Sequence, residues 1–170
     1  MELSTKRSQN LSNRLLLAIA DTPFDPPSGD EKERSYTARC LTPIVQSVLD
    51  DLHIDGFRVR GDGVGQNAVP SRVLDADFFP DIAVSLGRQN VWAAEVKFLR
   101  SSGRQNSIAT ALGQATLYRS RYEHSAVVLI DLSEHADKSL EVLRAVTVAT
   151  GVRFIVRSKL GNTLMKSSLK

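Results

Sequence analysis

Two short apolar segments joined by a polar turn constrain this chain more than any other feature of its 170 residues. Residues 78–86 (FFPDIAVSL) and 91–99 (VWAAEVKFL) flank the tetrapeptide GRQN at 87–90. Apolar segments on either side of a glycine-containing turn are typical of a β-hairpin. The sequence therefore predicts two antiparallel neighbouring strands, in which successive side chains point to opposite faces of the sheet.

The segments around this hairpin alternate between helical and strand patterns. Residues 61–76 contain three glycines and a proline, which predict a mobile loop. The continuous apolar run SAVVLID predicts a strand buried on both faces. The order of the elements predicts an α/β fold, a mixed β-sheet core flanked by helices on both faces, in which the hairpin feeds parallel strands. The predicted helices are 10–20, 31–53, 105–122 and 134–149, and the remaining predicted strands are 54–61, 125–131 and 152–157.

The chain is long enough for one domain with its own hydrophobic core. Residues 1–30 are predicted to form an N-terminal arm that consists of a short helix and a proline-rich connector. This arm is expected to pack on the main domain or on a second subunit. Residues 31–160 are the predicted main domain and residues 161–170 a C-terminal tail. Pro43 interrupts the first long helical pattern. Either a helix begins at Thr42 with Pro43 in its first turn, or two helical segments meet there.

Composition excludes several classes of protein. A single cysteine, Cys40, rules out an internal disulfide framework and a metal cluster held by four thiolates of this chain. No apolar run approaches the ~20 residues of a membrane span. The polar residues 1–13 do not suit a secretory signal. We therefore expect a cytoplasmic protein with no membrane partner.

Charge is distributed unevenly along the chain. Residues 1–85 hold 9 Lys/Arg and 13 Asp/Glu, residues 86–170 hold 13 Lys/Arg and 6 Asp/Glu, and the formal net charge is +3. A basic half beside an acidic half suits a protein whose site binds cations and whose rim binds polyanions. Uneven surface charge without a functional role is the alternative.

The hairpin also carries three ionisable residues on one face. Glu95 and Lys97 are two residues apart, so they point to the same side of their strand. If the turn has an odd number of residues, Asp81 lies directly opposite Glu95, with Cβ atoms about 5 Å apart. Facing carboxylates repel each other unless a divalent cation lies between them, and Mg²⁺ binds such carboxylates together with substrate phosphate. The Lys97 ammonium would stabilise charge that develops on a phosphorus centre. A plain ion-pair cluster is the alternative interpretation.

The same residues form a known arrangement. Pro80-Asp81 and Glu95-Val96-Lys97 lie on consecutive predicted strands, and the next helix carries Gln114 and Tyr118 with the spacing QxxxY. Over roughly residues 31–157 the sequence resembles the PD-(D/E)XK nuclease superfamily, whose members share the restriction-endonuclease-like fold. The QxxxY motif is similar to that of the branch that contains recombination exonucleases and CRISPR adaptation nucleases.

This resemblance implies a role for each matching residue. Asp81 and Glu95 would be metal ligands, with the carbonyl of Val96 completing the set, and Lys97 would be the catalytic lysine. On the helix that follows, Gln114 would help to orient the site, and Tyr118 would contact the nucleic-acid backbone.

Many members of the superfamily also use a glutamate from the first core helix. Residues 41–52 contain none, so Glu33, or Glu31 beside it, is the candidate for a further metal ligand. Four arginines follow the predicted site, and they are either solvated surface charges or contacts to the phosphate backbone. These arginines are Arg100, Arg104, Arg119 and Arg121.

The resemblance and the residues together predict a Mg²⁺-dependent deoxyribonuclease, with Mn²⁺ as a substitute metal and an endonuclease as the expected type. DNA is the expected partner, and RNA is the alternative. Cutting both strands of a duplex usually needs two sites, so we expect either a homodimer or a subunit of a larger nucleic-acid-processing complex. The alternative is a catalytically silent nuclease-fold subunit that binds nucleic acid or a protein partner.

Overall fold

The structure, a computed structural model, describes residues 2–133 and 140–165. Its helices are α1 (Thr5–Asp21), α2 (Glu33–Tyr36), α3 (Thr42–Asp50), α4 (Arg104–Tyr118) and α5 (Leu140–Thr150). Its strands are β1 (Phe57–Gly61), β2 (Ser71–Val73), β3 (Ala76–Phe78), β4 (Ile82–Leu86), β5 (Gln89–Leu99), β6 (His124–Asp131), β7 (Arg153–Ser158) and β8 (Gly161–Met165). The helix expected at 134–149 is present from Leu140, and its first six residues lie outside the described residues. None of the described helices is both long and apolar enough to cross a bilayer.

Six strands form one mixed sheet in the order β1-β4-β5-β6-β7-β8. β5, β6 and β7 are parallel neighbours, and the pairs β1–β4, β4–β5 and β7–β8 are antiparallel. The hairpin therefore feeds parallel strands, as the sequence predicts. Every residue of β6 after His124 is buried, which confirms a strand covered on both faces.

The sheet separates two apolar cores. On one face α1 and α3 pack against alternate side chains of β5, with Leu15, Ile19 and Trp92 fully buried. On the other face α4 packs Ala115 against Val127 of β6. The mixed α/β fold with helices on both faces is thus confirmed, and the N-terminal arm packs on the main domain.

A turn of π-helix joins α2 to α3 and explains the position of Pro43. Residues Thr37–Leu41 form the π turn, and Pro43 lies in the first turn of α3. Proline has no amide hydrogen, and in a regular α-helix its ring clashes with the carbonyl group four residues earlier. The wider π turn relieves this conflict. Two helical segments therefore meet here, and the first of them carries Glu33.

Two segments differ from their predicted conformations. Part of the predicted mobile loop forms the small antiparallel hairpin β2–β3, whose turn residues Leu74 and Asp75 have φ angles of 48° and 63°. Neither is glycine or asparagine, so the usual sequence signal for such a turn is absent. The first half of the predicted tail forms β8, which pairs with β7 after a short turn. Its five residues include Gly161, Asn162 and Thr163, which do not show the apolar alternation of a half-buried strand.

Candidate active site

β5 extends past the start of β4, and the candidate site lies at this step in the sheet. The ladder between the two strands starts at the pair Ile82–Ala94, so no strand of the described segments pairs with residues 95–99 of β5 on that side. The turn between the strands is two residues long, not odd, but a bulge within the ladder shifts the register by one. The bulge thus places Asp81, the residue before β4, at the position opposite Glu95.

Carboxylates occupy the place of the missing strand. The amide of Val96 donates to Asp81 Oδ2 at 2.7 Å, and the amide of Phe98 donates to Glu33 Oε1 at 2.8 Å. The next position opposite Val96 belongs to Pro80, which has no amide hydrogen to donate to the Val96 carbonyl. The Pro-Asp pair therefore has a structural role here, because the proline ends the ladder and the aspartate caps the amide that is left exposed.

Glu95 and Lys97 form the centre of the site. Lys97 Nζ lies 2.8 Å from Glu95 Oε1 and 3.2 Å from Glu33 Oε2. The Tyr118 hydroxyl lies 2.6 Å from Glu95 Oε2, so both oxygens of this carboxylate have a partner. Glu95 is only 2% exposed, whereas the Lys97 side chain is 20% exposed. The side chain of Lys97 is therefore the more accessible member of this pair.

Burial and crowding shift the protonation of these groups. Burial, and then the charge of Glu95, raise the pKa of Asp81 to about 7. Burial also raises the pKa of Glu95, against the opposing effects of Lys97 and Tyr118. Burial lowers the pKa of Lys97, but the neighbouring carboxylates outweigh it, so the pKa of Lys97 stays above its ordinary value. Lys97 is therefore a permanent cation beside two carboxylates that resist being ionised together.

Glu33 is the upstream glutamate that reaches the site. It opens α2, and its carboxylate spans Lys97 and the end of β5. Glu31 instead binds Arg39 at 2.8 Å, away from the site.

Another carboxylate, which sequence reasoning missed, lies beside Asp81. The amide of Asp62 donates to the Asp81 carbonyl at 2.8 Å, and its side chain pairs with Arg34 at 3.2 Å. Burial raises the pKa of Asp62, against the charges of Arg34 and Lys97. Gly61 permits this approach, since it has a φ of 111° and a Cβ there would lie 2.2 Å from the Asp81 carbonyl oxygen. The available signal was a Gly-Asp pair at the end of the strand that precedes the motif.

The QxxxY residues lie on α4, and the structure changes the role expected of one of them. Tyr118 is fully buried, and its hydroxyl lies within hydrogen-bond distance of Glu95 and of the Phe79 carbonyl. This placement does not suit the expected contact with a nucleic-acid backbone, because no surface of Tyr118 is exposed, and it makes Tyr118 a positioning residue for Glu95. Gln114 lies one turn earlier on α4, and its Oε1 is buried without a partner among the described residues.

The four arginines do not form one cluster. Arg104 donates to both oxygens of Asp131 at 2.9 and 3.0 Å, at the carboxyl end of β6. Arg119 donates to the Gly151 carbonyl at 3.1 Å, near the opposite end of the parallel strands. β6 is about 23 Å long at 3.3 Å per residue, so the two ends are well separated. Arg121 is exposed beyond the end of α4, and Arg100 is exposed directly after β5.

The oxygen donors at the step in the sheet suit a hard divalent cation. The set consists of the carboxylates of Asp81 and Glu95 and the carbonyl of Val96, with Glu33 nearby. Mg²⁺ prefers oxygen ligands and commonly uses one or two carboxylates. A cation would also relieve the repulsion that raises the pKa of Asp81. Within residues 2–133 and 140–165, no three His, Cys, Asp or Glu side chains are already grouped as metal ligands.

Comparison of the chain with models of protein families, with curated proteins and with solved structures found no match.

Proposed function

We propose that the protein is a Mg²⁺-dependent deoxyribonuclease of the PD-(D/E)XK superfamily, with a restriction-endonuclease-like fold. The observation that carries this proposal is the convergence of Asp81, Glu95 and Lys97 where β4 begins and β5 continues past it, paired only with β6 among the described strands. The three residues are 14 and 2 positions apart in the sequence. A shared β-bulge, a ladder-ending proline and a cap on the amide of Val96 bring them together.

Asp81 and Glu95 resist being ionised together, and a divalent cation between them would remove that resistance. Asp81, Glu95 and the Val96 carbonyl would hold Mg²⁺. When bound, the ion would act as a Lewis acid, which would lower the pKa of a water molecule bound to it and neutralise negative charge on a phosphate. Glu33 forms a salt bridge with Lys97 at the edge of this group, and it is the candidate for a further metal ligand.

Lys97 supplies the cation that the protein itself provides. Its ammonium is held between Glu95 and Glu33, so it is fixed in position and remains charged. A fixed ammonium stabilises the negative charge that grows on the oxygens of a phosphodiester during hydrolysis. Because Lys97 is the more exposed member of the pair, it is placed to contact that group.

The support from α4 acts through Glu95. Tyr118 fixes one oxygen of Glu95, which leaves the carboxylate with a defined orientation. The unpartnered Oε1 of Gln114 is an acceptor that a bound water or a hydrated cation would satisfy. Phosphodiester cleavage would use all of these groups, whereas a simple surface ion pair does not require a buried glutamate such as Glu95.

The test is cleavage of supercoiled plasmid and of single-stranded DNA, with Mg²⁺, with Mn²⁺ and with EDTA. We expect cleavage by the wild type with either metal and none with EDTA. Lys97→Ala should lose at least about 100-fold in rate, in line with the loss of one electrostatic stabiliser. Lys6→Ala, which removes an exposed lysine of α1, is the matched control and should cleave like the wild type.

Wild-type protein that binds DNA but does not cleave it with either metal would contradict the proposal. That result would favour the catalytically silent subunit instead. RNA of the same sequence, run in parallel, decides which nucleic acid is the substrate.

A further inference from the structure

A cavity of about 320 Å³ lies at the carboxyl ends of the parallel strands β5, β6 and β7. Residues at the strand ends form one side of it, and the proline-rich connector after α1 forms the other. Open α/β sheets commonly bind ligands at this end of their strands, and the volume is within the range of small-molecule sites. The lining includes Phe24, Pro26, Arg100, Leu132, Ser158 and Lys159.

Arg100 connects this cavity with the candidate active site. A second depression, of about 380 Å³, also contains Arg100, so Arg100 borders both spaces. Its lining includes Asp30, Glu31, Lys32, Glu33, Phe98 and Arg100. Arg100 is three residues after Lys97, which is about 10 Å along an extended chain. That distance corresponds to about three stacked nucleotides at 3.4 Å each. A strand that leaves the active site along this path would meet Arg100.

The charge of the cavity favours an anion. Arg100 is exposed, its guanidinium lies 5.9 Å from the Phe98 ring, and it forms no salt bridge with the acidic residues of the described segments. Asp131 also borders the cavity, but Arg104 neutralises it through two hydrogen bonds at 2.9 and 3.0 Å. Arg100 is therefore a cation available to a phosphate group.

A buried arginine, Arg157, binds the backbone of the proline-rich connector, which forms the wall of the cavity opposite the strand ends. Arg157 is 1% exposed and donates to the carbonyls of Thr22 and Pro23 at 3.2 and 2.8 Å. Its guanidinium lies 6.0 Å from the Phe24 ring. Among residues 2–133 and 140–165, its Nε and Nη1 have no hydrogen-bond partner and no carboxylate lies within salt-bridge distance. The connector is thus fixed in place, with a buried guanidinium next to the Phe24 ring.

We propose that this cavity binds a nucleotide, with its phosphate on Arg100 and its base against the Phe24 ring. Guanidinium groups bind phosphate through paired hydrogen bonds, and bases stack on aromatic side chains in a way that tolerates any sequence. On the basis of the proposed nuclease function, the nucleotide belongs to the substrate strand, a few positions from the cleaved bond.

The test measures binding of fluorescently labelled hexathymidylate to the wild type in EDTA, where Mg²⁺-dependent cleavage cannot occur. We expect Arg100→Gln to weaken binding about tenfold, the effect of losing one charge-assisted phosphate contact. Arg88→Gln is the matched control, because Arg88 is exposed in the turn at the other end of β5. This control should leave the dissociation constant unchanged.

A second arm tests the contact with the base. Replacing the bases of the hexamer with abasic sites should weaken binding by the wild type at least about fivefold. Phe24→Leu should reduce that difference while keeping the melting temperature within a few degrees. Thymidine monophosphate as a competitor identifies the source of the ligand. Effective competition points to a free nucleotide, and weak competition points to a strand.

Equal affinity of Arg100→Gln and Arg88→Gln, or no binding at up to about 100 μM protein, would overturn this inference. If either of these binding results is found but the wild type still cleaves DNA with Mg²⁺, the proposed nuclease function stands. Arg100-dependent binding without any cleavage would contradict the nuclease function and keep the nucleotide site.

Discussion

Replacing Asp81 by asparagine should stabilise the metal-free protein. Burial and the neighbouring Glu95 raise the pKa of Asp81 from 3.8 to about 7. A change of this size corresponds to about 4 kcal/mol of unfolding free energy, part of which belongs to Glu95 because the two carboxyls titrate together. Asparagine keeps an oxygen that can accept from the Val96 amide, now at 2.7 Å from Asp81 Oδ2, and removes the charge.

The sign of the pH dependence follows from the raised pKa. A carboxyl whose pKa is higher in the folded state stabilises the fold below its unfolded pKa, and this contribution is lost as the pH rises toward 7. Wild-type protein therefore carries the full repulsion at pH 8 and little of it near pH 4. At about 2–4 °C per kcal/mol for a chain of this size, we expect Asp81→Asn to melt up to about 8–16 °C higher than the wild type at pH 8 in EDTA, with the difference falling toward zero near pH 4.

Thermal unfolding from pH 4 to 8, with and without Mg²⁺, measures both effects. Mg²⁺ should raise the melting temperature of the wild type and leave that of Asp81→Asn nearly unchanged, because a ligand stabilises only the state that binds it. Asp75→Asn, at an exposed hairpin turn, is the matched control and should behave like the wild type. Equal stabilisation of Asp81→Asn and wild type by Mg²⁺, or a variant less stable at pH 8, would refute this reasoning.

Three further experiments test the surroundings of the site. Gln114→Ala should reduce cleavage strongly with little change in melting temperature, and a large loss of stability in circular-dichroism melting would instead make Gln114 a core anchor. Gly61→Ala should lower the free energy of unfolding in urea by about 2–4 kcal/mol and reduce cleavage, because its Cβ would lie 2.2 Å from the Asp81 carbonyl oxygen. Gly29→Ala is the control, since nothing in the described residues lies within 4 Å of its Cβ, and it should change neither stability nor cleavage. Arg119→Gln with Arg121→Gln should leave the salt dependence of duplex binding unchanged, whereas Arg100→Gln should flatten its slope by about 1, and the reverse pattern would show that the far end of the sheet holds the duplex.

The fold was largely predictable because its core elements follow simple periodicities. The continuous apolar run of β6 predicts a strand, and so does the alternation of large apolar residues with small or polar residues in β4 and β5. The exceptions are elements that pack without such patterns. Leu74 and Asp75 adopt a left-handed turn that their residue types do not signal, and β8 is a polar edge strand. Both depend on tertiary contacts that a local pattern does not contain.

The centre of the site was predictable because strand alternation and register place Asp81, Glu95 and Lys97 together. The correct outcome depended on a bulge that compensates for a two-residue turn, and no residue pattern predicts that bulge. Asp62 was missed because its proximity to Asp81 comes from pairing between β1 and β4, which joins residues distant in sequence.

The outer parts of the site were less predictable than its centre. Tyr118 was expected at the nucleic-acid surface, but the helix turns its hydroxyl inward to Glu95. Arg104 was expected to be either a solvated charge or a phosphate contact, and in the structure it pairs with Asp131 at the end of β6. Sequence proximity to the motif did not distinguish these roles, because helix direction and strand ends determine which charges face the site.

The central claim is that Asp81 and Glu95 hold one divalent cation at the step between β4 and β5. Crystals soaked in Mn²⁺, with anomalous scattering recorded at the manganese edge, test this claim most directly. We predict an anomalous peak that contacts both carboxylates and the Val96 carbonyl, and no peak there in crystals of Asp81→Asn soaked identically. A peak elsewhere on the molecule, or none at this step in wild-type crystals at a Mn²⁺ concentration that supports DNA cleavage, would contradict it.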